Sequence, residues 1–162
     1  MNQKEYNTCV DAYADRLFRF VVKQLGHEAN ARDVVQHAFE VLWRKRKEIN
    51  STKTKSFLFT VARNHMIDNI RKMKRIDHMD VLPERTQNPE IHNFELKETL
   101  DFGLQQLPEI QRTLILLRDY EGYSYKEIAK ITDLKESQVK VYIFRGRKKL
   151  QKFLISIEVS KS

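Results

Sequence analysis

The chain has 162 residues, 41% apolar and 32% charged, with only four Gly and three Pro. That composition leaves room for one domain or two small ones and favours helices over sandwiches or barrels. Its single cysteine, Cys9, excludes an internal disulfide framework and a thiolate-rich zinc site, and fits a reducing cytosol. The net charge of +8 is unevenly spread. Residues 1–43 carry a net −1, residues 44–75 +9, residues 76–137 −6 and residues 138–162 +6. Two basic blocks separated by an acidic stretch suit a polyanion touched at two places. The N-terminus lacks an apolar core of signal-peptide length and no run approaches a membrane span. A cytoplasmic protein with no membrane insertion is expected.

The first helix is predicted from Tyr6 or Asp11 to Leu25, with Tyr13, Leu17, Phe20, Val21 and Leu25 as its apolar stripe and Gly26 as its stop. A second runs from Asn30, a good N-cap type, to Glu48. Val34, Val35, Ala38, Phe39, Leu42 and Trp43 make its inner face, and Arg32, Asp33, Gln36, His37 and Glu40 its polar face. After the polar loop from Ile49 to Ser56, a third helix reaches Arg75, packed by Phe57, Leu58, Val61, Met66, Ile67 and Ile70. From Asp77 to Asn93 the sequence holds two prolines, several acids and weak periodicity, which reads as a flexible linker. Helical periodicity resumes from Phe94 to Leu107. Pro108 opens a new helix where proline is tolerated, and Ile110 to Tyr120 packs beneath the last two helices of the chain.

The stretch from Gly122 to Lys152 reads as a helix-turn-helix. Ile128, Ala129 and Ile131 recur at helical spacing, and Thr132 and Asp133 favour the turn. In the second helix Val139, Ile143 and Leu150 share one face. Ser137, Lys140, Val141, Phe144, Arg145 and Lys148 share the opposite one. Cations hold phosphates and reach guanine edges, and apolar groups touch a thymine methyl, so this face suits a major groove.

Taken in order, these segments resemble the bacterial RNA polymerase sigma factors of the extracytoplasmic-function (ECF) class. ARDVVQHAFEVLW at Ala31–Trp43 and FLFTVARNHMIDNIRK at Phe57–Lys72 echo the first conserved region. LPEIQRTLILLRDYEGYSYKEIAKI at Leu107–Ile131 and VKVYIFRGRKKL at Val139–Leu150 echo the second. The resemblance implies an all-α chain of two small helical domains: residues 1–76, which bind polymerase and the −10 element, and residues 94–162, a helix-turn-helix domain for the −35 element. Residues 77–93 are the linker. It further implies that Asp33, Gln36, His37 and Glu40 face the clamp helices of the polymerase's largest subunit, with the second domain near the flap. Asn64 matches the position that captures a flipped −10 base, with Arg63, Arg71, Lys72, Lys74 and Arg75 along the opened strand. Ser137, Gln138, Lys140, Val141, Phe144, Arg145 and Lys148 match the −35 reading helix. The partners implied are core RNA polymerase, promoter DNA, and an anti-sigma factor or other recruiting protein; no cofactor is implied.

The chain departs from the family pattern in three places. His37 stands where an acid is usual, Lys135 precedes the reading helix where a small capping residue is favoured, and Lys140 and Val141 replace a frequent arginine and serine. The docking mode carries over; the −35 sequence does not. Rival readings explain less. The five histidines are scattered without a helical HxxxH pair, and there is no glycine-rich phosphate loop, so no enzyme is expected. A stand-alone helix-turn-helix regulator leaves the first half without a role, and a sigma-like subunit recruited by another protein is allowed by the altered reader.

Overall fold

The structure is a computed structural model that describes residues 1–26, 28–76 and 96–161, with side chains at all of these except 73–76 and 160–161. The expected linker, residues 77–93, lies outside the described residues, as do the side chains of Lys74 and Arg75. All regular structure among the described residues is helical.

Helix α1 (Gln3–Leu25) starts earlier than either expected position because Asn2 caps it. The Asn2 side chain accepts from the Glu5 amide at 2.8 Å, and the Glu5 carboxylate accepts from the Asn2 amide at 2.9 Å, a reciprocal capping box. The helix ends where expected: Gly26 is left-handed (φ 82°) and its N–H donates to Val22 O. Helix α2 (Ala31–Arg44) comes next, but Asn30 gives no side-chain cap bond, and the helix stops short of the expected Glu48. Its inner face is Ala31, Val34, Ala38, Phe39 and Leu42. Trp43 was expected with them; it lies at the surface, 36% exposed. A 3-10 turn at Ser51–Lys53, capped by Asn50, leads into α3 (Thr54–Ile76). Here Leu58, Phe59, Ala62 and Met66 are the buried stripe, so Phe59 takes the core place expected of the half-buried Phe57.

The second half comprises α4 (Leu96–Gln105), α5 (Glu109–Ile115), α6 (Tyr125–Thr132) and α7 (Glu136–Lys161). Pro108 sits just before α5, in an extended conformation (φ −53°, ψ 147°), rather than inside it. Residues 111–117 are all buried, which makes α5 the axis of this half. Its continuation, Leu116–Tyr120, loosens into a π turn that no sequence period announced. Gly146 lets α7 lie close to α5, because a Cβ there would stand 2.7 Å from Ile115 Cδ1.

The two halves pack against each other. Phe59 of α3 meets Tyr123 edge-to-face, centroids 5.4 Å apart, and Lys55 lies over the same tyrosine ring. Arg112 of α5 is buried, and its guanidinium donates to Leu104 O, Leu107 O and, across the junction, Gln24 O at 2.7 Å. Gln105 donates to Lys23 O, and Lys23 pairs with Asp101 at 2.8 Å. One apolar cluster therefore runs through both halves.

Candidate nucleic-acid interface

Three exposed faces carry the residues singled out from sequence. On α2, Asp33, Gln36 and Glu40 form one exposed stripe, and Gln36 Nε2 donates to Glu40 Oε1 at 3.2 Å. Trp43 continues that stripe. Its ring meets Tyr6 at 4.8 Å between centroids, the Arg46 guanidinium lies 3.9 Å from its centroid, and the Tyr6 hydroxyl donates to Phe39 O. This aromatic end of the stripe was missed, because a period of 3.6 locates a face without giving its width. His37 lies off the stripe, half-buried, and stacks on His65 of α3.

On α3, Asn64, Arg71 and Lys72 are exposed along one side together with Asp68. Arg63 is not among them. Its side chain is only 12% exposed, and its Nε faces Glu109 Oε1 of α5 at 3.8 Å. The first half thus divides its expected strand-binding cations: Arg71 and Lys72 are open to solvent, and Arg63 faces the second half. The His65 pKa lies below the ordinary 6.5, first because burial disfavours the charged ring and then because His37 adds a like charge; Asp68 opposes the shift.

On α7 the expected reading face is open. Ser137, Lys140, Arg145 and Lys148 are exposed, and among them Val141 is 44% and Phe144 59% exposed. Lys148 Nζ lies 4.7 Å from the Phe144 ring centroid, and Lys140 is 3.9 Å from Glu136. On the other side Val139 and Ile143 are buried. The helix before it, α6, starts on a Ser124–Glu127 capping box and ends at left-handed Asp133 (φ 56°). The weak cap expected at Lys135 is offset from an unexpected source. Gln138 Oε1 accepts from the Lys135 amide at 3.0 Å, so this amide side chain closes the helix start. Arg147, just beside the face, is held by both oxygens of Asp119. Among the described residues no group of three or more His, Cys, Asp and Glu is placed to hold a metal, and no helix is long and apolar enough to cross a membrane.

Residues 9–76 match the family model of Sigma-70 region 2, and residues 97–150 match that of Sigma-70, region 4. The chain is 30% identical over 158 residues to the ECF RNA polymerase sigma factor SigE of Mycolicibacterium smegmatis, covering 92% of this chain and 61% of the relative. It is 28% identical over 144 residues to the ECF RNA polymerase sigma factor SigM of Bacillus subtilis, covering 86% and 88%. The chain belongs to the ECF sigma factors.

The fold agrees. The sigma factor RpoE, solved in complex with the anti-sigma factor NepR from Bartonella quintana, superposes at a TM-score of 0.81 over 93% of this chain and 97% of that one, at 24% identity. CnrH, solved in complex with the cytosolic domain of CnrY, gives 0.70 over 96% and 90%, at 23% identity. As a sigma factor, the chain is a member of a family of non-catalytic transcription initiation factors. A stand-alone helix-turn-helix regulator is disfavoured, because the match extends through the first half as well as the second.

Proposed function

We propose that this sigma factor binds core RNA polymerase through the α2 stripe, captures the −10 element with α3 and reads the −35 element with α7, acting in the cytoplasm. Asp33, Gln36 and Glu40 offer two acids and an amide to the clamp helices of the largest subunit, with Trp43 and Tyr6 as the apolar end of that contact. Asn64 can both donate to and accept from the pairing edge of a flipped base. Arg71 and Lys72 hold the opened strand by charge. Arg63 joins them only when α5 and its Glu109 move away from α3, so strand capture and separation of the two halves go together. Domain limits at residues 76 and 94, with residues 77–93 between them, suit such a separation.

The observation that carries the reading is the Phe144 ring. A phenyl group 59% exposed amid Lys140, Arg145 and Lys148 contributes little to the fold, and it suits contact with a base step flanked by phosphates. Gln138, tied to the helix start, reaches base edges only by giving up that bond, so Lys140, Val141, Phe144 and Arg145 set most of the −35 preference. Because the relatives RpoE and CnrH were solved with protein partners, an anti-sigma factor that holds the two halves together is the regulator we infer. The test is a footprint of holoenzyme on a promoter it selects. Phe144→Ala should remove protection at the −35 element while leaving core binding intact; retained protection would mean that α7 reads DNA through another face.

A further inference from the structure

His37 and His65 meet across the α2–α3 contact with ring centroids 3.9 Å apart and planes 17° from parallel. The buried residues of α2 are all apolar, and Leu58, Phe59, Ala62 and Met66 give α3 a matching surface, so the stacked imidazoles are a polar addition at the rim of an apolar contact. Two aliphatic side chains would pack there without a titrating group. The positions matter more than the packing. His37 is the next residue after Gln36 of the polymerase stripe, and His65 the next after Asn64 of the −10 face. The stack is thus the one ring contact that links those two faces among the described residues.

We propose that His65 is a positioning residue, whose stack on His37 fixes the polymerase-binding helix α2 against the −10-capturing helix α3. This rests on the reading of Gln36 and Asn64 given above. A proton gained by His65 puts a cationic ring against His37 and near Lys72, and so weakens the stack. The charged and titratable groups acting on His65 are His37 and Asp33 from α2, and Asp68 and Lys72 from α3. Burial, His37 and Lys72 hold it neutral, and the two carboxylates pull the other way. At neutral pH the joint is closed; acid loosens it.

The test uses the full chain with core RNA polymerase on a promoter fragment that the holoenzyme selects, with permanganate reactivity of −10 thymines as the measure of opening. His65 titrates below the ordinary 6.5 in the folded chain, so wild-type opening should fall by about threefold or more between about pH 7.5 and about pH 5. His65→Phe keeps a flat ring without a proton to gain. It should match wild type at the higher pH and lose most of the fall at the lower one. His65→Ala should open the promoter less well at both. A wild type with no fall, a His65→Phe variant with the full wild-type fall, or a folded His65→Ala variant that opens normally would each overturn the proposal. If His65→Ala does not fold, the comparison with His65→Phe decides alone. Asn64→Ala run alongside separates the two levels: normal opening by that variant refutes the −10 reading itself, whatever His65 does.

Discussion

Arg112→Met removes the guanidinium that ties the two halves together while keeping a side chain of similar length. Arg112 is 5% exposed and donates to Gln24 O at 2.7 Å, Leu104 O at 2.9 Å, Leu107 O at 2.9 Å and Gln105 O at 3.3 Å. Leu104 O also accepts from the Leu107 amide, so it keeps a partner in the variant. Gln24 lies in the last turn of α1, where carbonyls have no further helical donor, and it and Leu107 lose most. Each buried acceptor left unpaired costs about 1–3 kcal/mol. Methionine recovers some apolar burial and spares the desolvation of a charge, which offsets part of that. The net destabilisation should be about 2–4 kcal/mol. With a urea slope of about 2 kcal/mol per molar, the unfolding midpoint should fall by about 1–2 M. Trp43 fluorescence reports the first half, and far-ultraviolet circular dichroism reports both. Because Arg112 bonds α1 as well as its own half, both signals should shift together. A midpoint within about 0.3 M of wild type, or a shift seen by dichroism and not by Trp43, would refute the assignment of Arg112 as the tie between halves.

Further substitutions test the packing and the faces. Gly146→Ala gains about 1 kcal/mol in helix propensity but drives a methyl toward Ile115 and Gln111, at a cost of about 1–3 kcal/mol, so thermal unfolding should occur at lower temperature. A raised melting temperature would mean that α5 and α7 can part freely. Asp33→Ala combined with Gln36→Ala should weaken association with core polymerase about tenfold or more in a pull-down titration, with the melting temperature unchanged because both side chains are exposed. His65 predicts a pH dependence of stability. Its pKa is lower in the folded chain than the unfolded value near 6.5, so the folded state binds fewer protons. Its contribution is fully present above about pH 6.5 and is lost as pH falls from there toward the folded pKa. Urea midpoints for wild type should therefore fall more steeply than those for His65→Phe on going from about pH 7.5 to about pH 5.5; parallel curves would contradict the shift.

The helices, their order and the exposed face of α7 were legible because each rests on local chemistry. Gly26 and Asp133 end helices by adopting left-handed backbone, and the buried Val139 and Ile143 lie opposite Lys140 and Phe144 at helical spacing. The start of α1 is also written locally, as Asn2 and Glu5 in capping-box register, but the apolar stripe begins later and points to a later start. Trp43 lies at the surface although its period matches the inner face, because an aromatic at the edge of a stripe satisfies the same period as one at its centre. What local pattern could not supply is contact between distant residues. Arg112 with Gln24, Arg63 with Glu109, and His37 with His65 join positions that no periodicity relates. These long-range contacts decide which cations are free: Arg63 reads as one of a basic block, yet it faces the other half of the chain. The π turn at Leu116–Tyr120 has a similar origin, since an unbroken run of buried residues before it hides any change of register.

The most direct test of promoter-specific initiation is transcription in vitro with core RNA polymerase of the source organism and a library of its promoter fragments, with and without this protein. Discrete start sites should appear only when the protein is present, each preceded by shared −10 and −35 elements, and those starts should be lost with Phe144→Ala. Tight binding of the isolated chain to duplex DNA, with no start sites and no association with core polymerase, would contradict that assignment.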